Sequence, residues 1–214
     1  MNFAVLSARN MNEPEVQSQM PERIRLFVAL QVPEPVKDEI EAAQLGLRGQ
    51  LKHSEIRWSS RAQFHLTLRF LGSVDAARSE ALIAALRSAC QSLPPFELSA
   101  ARLGFFPQKG NPRVLWVGVS AAGQELLALY RAVEAATASF TTEPAEKSFT
   151  GHITLARVKM INRSDSQLLV RCASDLNQKV FGQWTANEIE LVQSRLSPKG
   201  ATHSLLAAIP LGSH

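Results

Sequence analysis

Cysteine is nearly missing from this chain. Among 214 residues only Cys90 and Cys172 occur, with no close spacing. Two isolated thiols exclude a disulfide framework and a cysteine-based zinc site, and they suit a reducing compartment, so a cytoplasmic location is expected. Long apolar runs are missing too. The longest stops well short of what spans a bilayer, so no membrane-crossing helix is expected. Residues 1–22 hold a short apolar patch without a full hydrophobic region or an A-x-A cleavage site, and they read as a flexible leader rather than a signal peptide, with one domain over 23–211. Charge of one sign does not dominate either: 23 Lys+Arg against 19 Asp+Glu leave a net +4, a mild tilt towards anionic partners. With 45% apolar and 20% charged residues, the composition is that of a soluble globular protein and not of a disordered one.

What is present is a regular alternation of strand and helix patterns. Residues 24–30 (IRLFVAL), 64–71 (FHLTLRFL), 96–106, 113–120 (RVLWVGVS) and 149–158 (FTGHITLARV) read as strands, with two more near 184–194 and 202–209. Amphipathic spacing predicts helices after Pro33 and Pro35, over 75–92, over 123–140 and near 165–177.

The order repeats. LFVAL at 26–30 and LWVGV at 115–119 lie 89 residues apart, and HLTL at 65–68 and HITL at 152–155 lie 87 apart. Phe96 and Trp184, each expected to open a strand after a helix, are separated by 88, and the Lys109-Gly110 and Lys199-Gly200 turns by 90. Four landmarks with one offset indicate a duplication, with repeats of about 24–110 and 113–209.

Each repeat carries a His-x-Thr on a predicted strand, His65 with Thr67 and His152 with Thr154. Side chains at i and i+2 of a strand share a face, so each strand presents an imidazole beside a hydroxyl. Packed about a pseudo-two-fold axis, the pairs would face one cleft. That set suits phosphate ester chemistry: a neutral imidazole accepts a proton, an imidazolium gives one, and hydroxyls hold the non-bridging oxygens. Neither motif contains a carboxylate or cysteine, which leaves too few ligands for zinc and too few oxygens for magnesium, so no metal or other cofactor is expected.

FHLTLRFLG and GHITLAR resemble the paired signatures of the two-histidine (2H) phosphoesterases. With RLFVAL, PRVLWVGV and the Arg that ends HITLAR, the chain is most similar to their bacterial and archaeal RNA 2′,3′-cyclic phosphodiesterase branch, long called the 2′-5′ RNA ligase family. The resemblance runs from about residue 24 to 210. It implies an α+β, bilobal, pseudo-two-fold duplicated fold, with two antiparallel sheets flanking a central cleft and helices outside. It also implies metal-free hydrolysis of 2′,3′-cyclic phosphate ends to 2′-phosphates, with RNA ends or small cyclic nucleotides as partners, no membrane, and a monomer. On this resemblance His152 is the general base and His65 the acid, although the sequence leaves the two roles exchangeable. Thr67 and Thr154 hold the phosphate. Arg157 is a phosphate or base contact, yet strand alternation turns it to the face opposite His152 unless a bulge intervenes. Arg69, at i+4 from His65, is expected on the catalytic face. Gly151 stands where the family often carries proline, and glycine leaves the strand entry a wider choice of conformation.

Phe27, Trp58, Phe149 and Trp116 are the aromatics available to stack on a base. His203 and His53 lie outside the motif and read as structural or solvated. Two rival activities use the same residues: a 2′-5′ RNA ligase running the chemistry in reverse, and an RNA- or nucleotide-binding module without turnover.

Overall fold

The computed structural model describes residues 22–212 apart from Lys109, Lys147 and Lys199, so the expected leader lies, but for Glu22, outside the described residues. Among the described residues nine strands and four α-helices follow in the order β1 (Arg23–Gln31), α1 (Glu34–Gln50), β2 (Glu55–Trp58), β3 (His65–Asp75), α2 (Ser79–Cys90), β4 (Phe96–Phe106), β5 (Val114–Ser120), α3 (Glu125–Thr137), β6 (His152–Met160), α4 (Arg163–Asp175), β7 (Val180–Ala186), β8 (Glu188–Ser197) and β9 (Gly200–Pro210).

The strands form one antiparallel sheet in the order β7-β4-β5-β6-β3-β1-β8-β9, with β2 on the edge of β6. The two halves expected as separate sheets are therefore continuous, but only through the pair Leu66–Ile153 between β3 and β6. Beyond it the strands part. β2 takes over the edge of β6 from Ala156 outward, and on the other side Thr141 Oγ1 donates to Leu71 O, so the segment before β6 covers the edge of β3. About this seam the order is palindromic: β3 and β6 are innermost, then β1 and β5, then β8 and β4, then β9 and β7. Each half thus combines strands from both sequence repeats, β1 and β3 with β8 and β9 on one side and β4 with β5, β6 and β7 on the other, the arrangement of a duplicated fold.

The apolar run of β1 is buried continuously from Leu26 to Leu30 because β1 lies between β3 and β8. Leu26, Val28 and Leu30 belong to the main core, whereas Phe27 and Ala29 join Val192 in a small cluster on the other face. The helices close the main core with apolar faces at helical spacing, such as Val36, Ile40 and Leu47 of α1, and Leu126, Leu129 and Val133 of α3. Proline at the start of α1 fits the first turn, where its missing N–H has no helical partner. Asn162 caps α4 by accepting from the Asp165 amide.

Two strands were not legible as such. β2 is only four residues long, and the run read as one strand near 184–194 is two, β7 and β8, meeting at Asn187. Trp184 consequently does not open a strand. It lies inside β7 directly opposite Leu98 of β4, as a neighbour and not as the equivalent of Phe96.

Candidate active site

One residue on either side of the Leu66–Ile153 pair stand the four motif residues. Counting outward in antiparallel register places His65 across from Thr154 and Thr67 across from His152. The two histidines are then diagonal neighbours, with backbones on the order of 7–8 Å apart. Leu66 and Ile153 are fully buried and fasten the seam from below, while all four motif side chains line a single cleft of about 690 Å³.

Each imidazole is oriented in the same way. His152 Nδ1 lies 2.8 Å from Thr150 O, and His65 hydrogen-bonds the Gln63 backbone; in both, the partner is two residues upstream. With Nδ1–H donating to a carbonyl, Nε2 of the neutral ring is the acceptor that faces the cleft. His65 Nε2 is 3.1 Å from the Thr67 hydroxyl, which can donate to it. Each histidine has an aromatic ring near it from the adjacent strand, though in different registers, Phe27 pairing opposite Phe70 and Trp116 opposite Thr154. Phe27 of β1 stacks on His65 at 4.9 Å, and Trp116 of β5 lies 6.3 Å from His152. Trp116 lies beside the motif rather than on the cleft wall, which does include Phe27, Trp58 and Phe149.

The halves differ electrostatically. Burial, and next the His203 imidazole, push the His65 pKa down to about 4, so the ring is neutral near pH 7. His203 sits on β9, 5.4 Å from His65 and 5.0 Å from Phe27, and burial lowers its pKa too. By sequence it lies outside the motif and is expected to be structural or solvated; in the fold it lines the cleft. No signal in the chain marked it, because its place depends on β9 pairing with β8 through Ser194. His53 is exposed, as expected of a solvated residue.

Arg157 also lines the cleft, against simple alternation. The reason is a bulge. β5 pairs Leu115 with Ala156 and Trp116 with Thr154, so Leu155 is the extra residue on β6. Leu155 and Ala156 both turn to the core, and the phase flips so that Arg157 emerges on the His152 side. β3 repeats the irregularity at Leu68, since Val28 pairs with Arg69 and Ala29 with Thr67. The flip is the same there: Phe70 is brought out as Arg157 is, and Arg69, expected beside His65, is turned inward at the place of Ala156. Arg69 is buried, donates 2.9 Å bonds to Glu143 O and Pro144 O, and lies 3.7 Å from Glu134 of α3. It forms part of the cleft lining and there holds the 143–144 segment of the wall. Phe70 and Arg57, both on the cleft wall, were not singled out in the sequence.

Gly151 is required where it stands. A Cβ there would come within 2.4 Å of Val119 O, and Gly151 O accepts from the Val119 amide at 2.9 Å. The backbone of β5 thus closes directly onto the residue before His152.

Among the described residues no group of three or more His, Cys, Asp or Glu is placed to hold a metal ion, and no helix is long and apolar enough to cross a membrane. The model of the LigT-like phosphoesterase family matches the chain twice in succession, at residues 30–116 and 117–203. The chain is 29% identical over 183 residues to the RNA 2′,3′-cyclic phosphodiesterase of Aquifex aeolicus, covering 85% of this chain and 90% of that protein. It is 32% identical to the enzyme of the same name from Thermotoga maritima, over 86% and 93%. A crystal structure of a Thermus thermophilus protein superposes with a TM-score of 0.73 at 29% identity, covering 89% of this chain and all of that one. Escherichia coli LigT bound to 3′-AMP shares the fold, with a TM-score of 0.68 at 22% identity over 90% and 100%.

Proposed function

The chain belongs to the LigT-like phosphoesterase family, and from that premise we propose that it hydrolyses RNA 2′,3′-cyclic phosphate ends to 2′-phosphates with His65 and His152 as a metal-free acid–base pair. The observation that supports this reading is that both motif pairs, His65 with Thr67 and His152 with Thr154, line one cleft on either side of the Leu66–Ile153 seam.

In this mechanism water attacks phosphorus, the P–O3′ bond breaks, and the phosphate remains on O2′. His152 Nε2 takes the proton from the water as it attacks, and His65 Nε2 gives a proton to the departing O3′. Thr67 and Thr154 donate hydrogen bonds to the non-bridging oxygens, and Arg157 binds the substrate from the same cleft. His65 is neutral near pH 7, and a general acid must be protonated. The substrate supplies the difference: an anionic phosphate beside the imidazole favours its charged form, so the proton loads with the substrate.

The curated relatives carry the name of the hydrolase, so we place hydrolysis ahead of 2′-5′ ligation, which would use the same two histidines in reverse. A cytoplasmic monomer is the setting we propose. Two free cysteines and a cleft built from one chain support it.

The test is turnover of a 2′,3′-cyclic nucleotide in excess EDTA. A 2′-monophosphate formed at the rate seen without chelator is the expected result. Activity lost to EDTA and restored by a divalent cation would overturn the two-histidine mechanism, and binding without turnover would leave only a binding module.

A further inference from the structure

The two ends of the cleft are not alike, although the fold about it is duplicated. β2 has no counterpart in the palindromic order. It pairs with β6 where β3 has diverged, and it sets Arg57 directly opposite Arg157. Residues directly opposed on antiparallel strands point to the same face with Cβ atoms about 4.5–5.5 Å apart, a distance at which like charges destabilise the sheet. Both arginines line the cleft, and among the described residues neither guanidinium has an ion-pair or hydrogen-bond partner. Two positions along, on the same strands, Glu55 and Lys159 do pair, at 3.7 Å. Arg57 Nη2 also lies beside Gly200, the first residue of β9.

At the other end the position equivalent to Arg157 holds Phe70. Its ring is parallel to Phe27 at 6.1 Å, with the Arg25 guanidinium 4.8 Å above its face. Two acidic residues of the cleft wall, Glu143 and Glu146, come from the segment before β6, and Glu143 packs over Gly72 on the strand that carries Phe70. One end therefore gathers two facing arginines, and the other sets an aromatic ring, with Arg25 over its face, beside two carboxylates.

A repulsive cross-strand pair facing a reaction cleft is relieved by an anion held between its members. We propose that Arg57 and Arg157 form a second phosphate subsite, one nucleotide upstream of the reacting phosphate, so that the preferred substrate is the end of an RNA strand and not a cyclic mononucleotide. This rests on the phosphodiesterase reading. Arg157 follows Thr154 by three residues, one of them in the bulge, so the subsite lies on the order of 7–10 Å along β6 from the reacting phosphate. Two flexible arginine side chains span the remainder.

The experiment compares kcat/KM for three substrates: adenosine 2′,3′-cyclic phosphate, the same nucleotide with a 5′-phosphate, and the dinucleotide ApA with a 2′,3′-cyclic end. The dinucleotide should exceed the mononucleotide by roughly 10–100-fold, mostly in KM, the worth of one charge-assisted contact. Arg57→Ala should reduce that advantage to under about threefold while mononucleotide turnover stays within about threefold of wild type, and Arg57→Lys should keep part of it, because a point charge remains. Equal loss on mononucleotide and dinucleotide, or no dinucleotide advantage in the wild type, would overturn the proposal. A 5′-phosphorylated mononucleotide that matches or beats the dinucleotide would assign the subsite to a terminal phosphate and overturn the strand preference. Failure of the phosphodiesterase reading itself is separate, since then the wild type turns over none of the three and the subsite falls with it.

Discussion

Leu66 of β3 and Ile153 of β6 form the one backbone pair that joins the two halves of the sheet among the described residues, and both side chains are fully buried. The motif residues flank this pair on the opposite face, so the anchor and the chemistry share two short stretches of backbone. A strand that shifted by one residue here would exchange core leucine and isoleucine for histidine and threonine. Burial therefore holds the register on which the site depends.

If the histidines divide the work as proposed, His65→Ala and His152→Ala should each lower the rate by about 10²–10⁴. The double variant should lose much less than the product of the two, because groups acting as a unit are not additive. A substrate with a good leaving group at the 3′ position needs no acid. It should rescue His65→Ala and leave His152→Ala inactive, and rescue of the opposite variant would exchange the roles. Steady-state kinetics on the four proteins and two substrates decide it.

The threonines hydrogen-bond an anion without moving a proton. Thr67→Ala and Thr154→Ala should each weaken transition-state binding by roughly 1.5–3 kcal/mol, the worth of a hydrogen bond to a charged group, with the pH profile of kcat/KM unmoved. A shifted profile on Thr67→Ala would instead make its contact with His65 Nε2 a tuning contact.

His65 should titrate near pH 4 in the free protein and move upward when phosphate or a 2′-nucleotide is bound, as read by NMR of the imidazole. His203→Ala should raise the free value part of the way, because desolvation is the larger cause and persists. Stability follows. Between pH 6.5 and about 4 the unfolded chain binds a proton at His65 that the folded chain refuses, so this residue lowers stability as pH falls through that window and has no effect above it. Denaturant titrations of wild type and His65→Gln should converge at pH 7–8 in their pH dependence and diverge towards pH 4.

Gly151→Ala places a Cβ against Val119 O, a backbone atom that cannot swing aside. It should cost about 1–3 kcal/mol of stability, the usual penalty of overpacking. It should also lower activity through His152, the next residue. Thermal unfolding with product-bound NMR of His152 checks both, and an unchanged melting temperature would contradict the close approach of β5.

Much of this protein was written in local pattern. Alternation and helical spacing gave nearly all the elements, since burial of one face imposes a period of two or 3.6 on the residues themselves. The recurrence of His-x-Thr at an offset of 87 singled out His65, Thr67, His152 and Thr154, because i and i+2 share a face whatever the strand pairs with. Everything that depended on pairing was left to the tertiary structure. The bulges at Leu155 and Leu68 arise only against β5 and β1, and they turned Arg157 into the cleft and set Arg69 against the 143–144 segment of its wall. His203 reaches His65 because β9 closes on β8, and Arg57 meets Arg157 because four residues of β2 add to an edge that β3 abandons. Periodicity specifies which face a side chain takes within its own strand; which partner lies beside it, and where the period slips, is set by contacts between residues far apart in the chain.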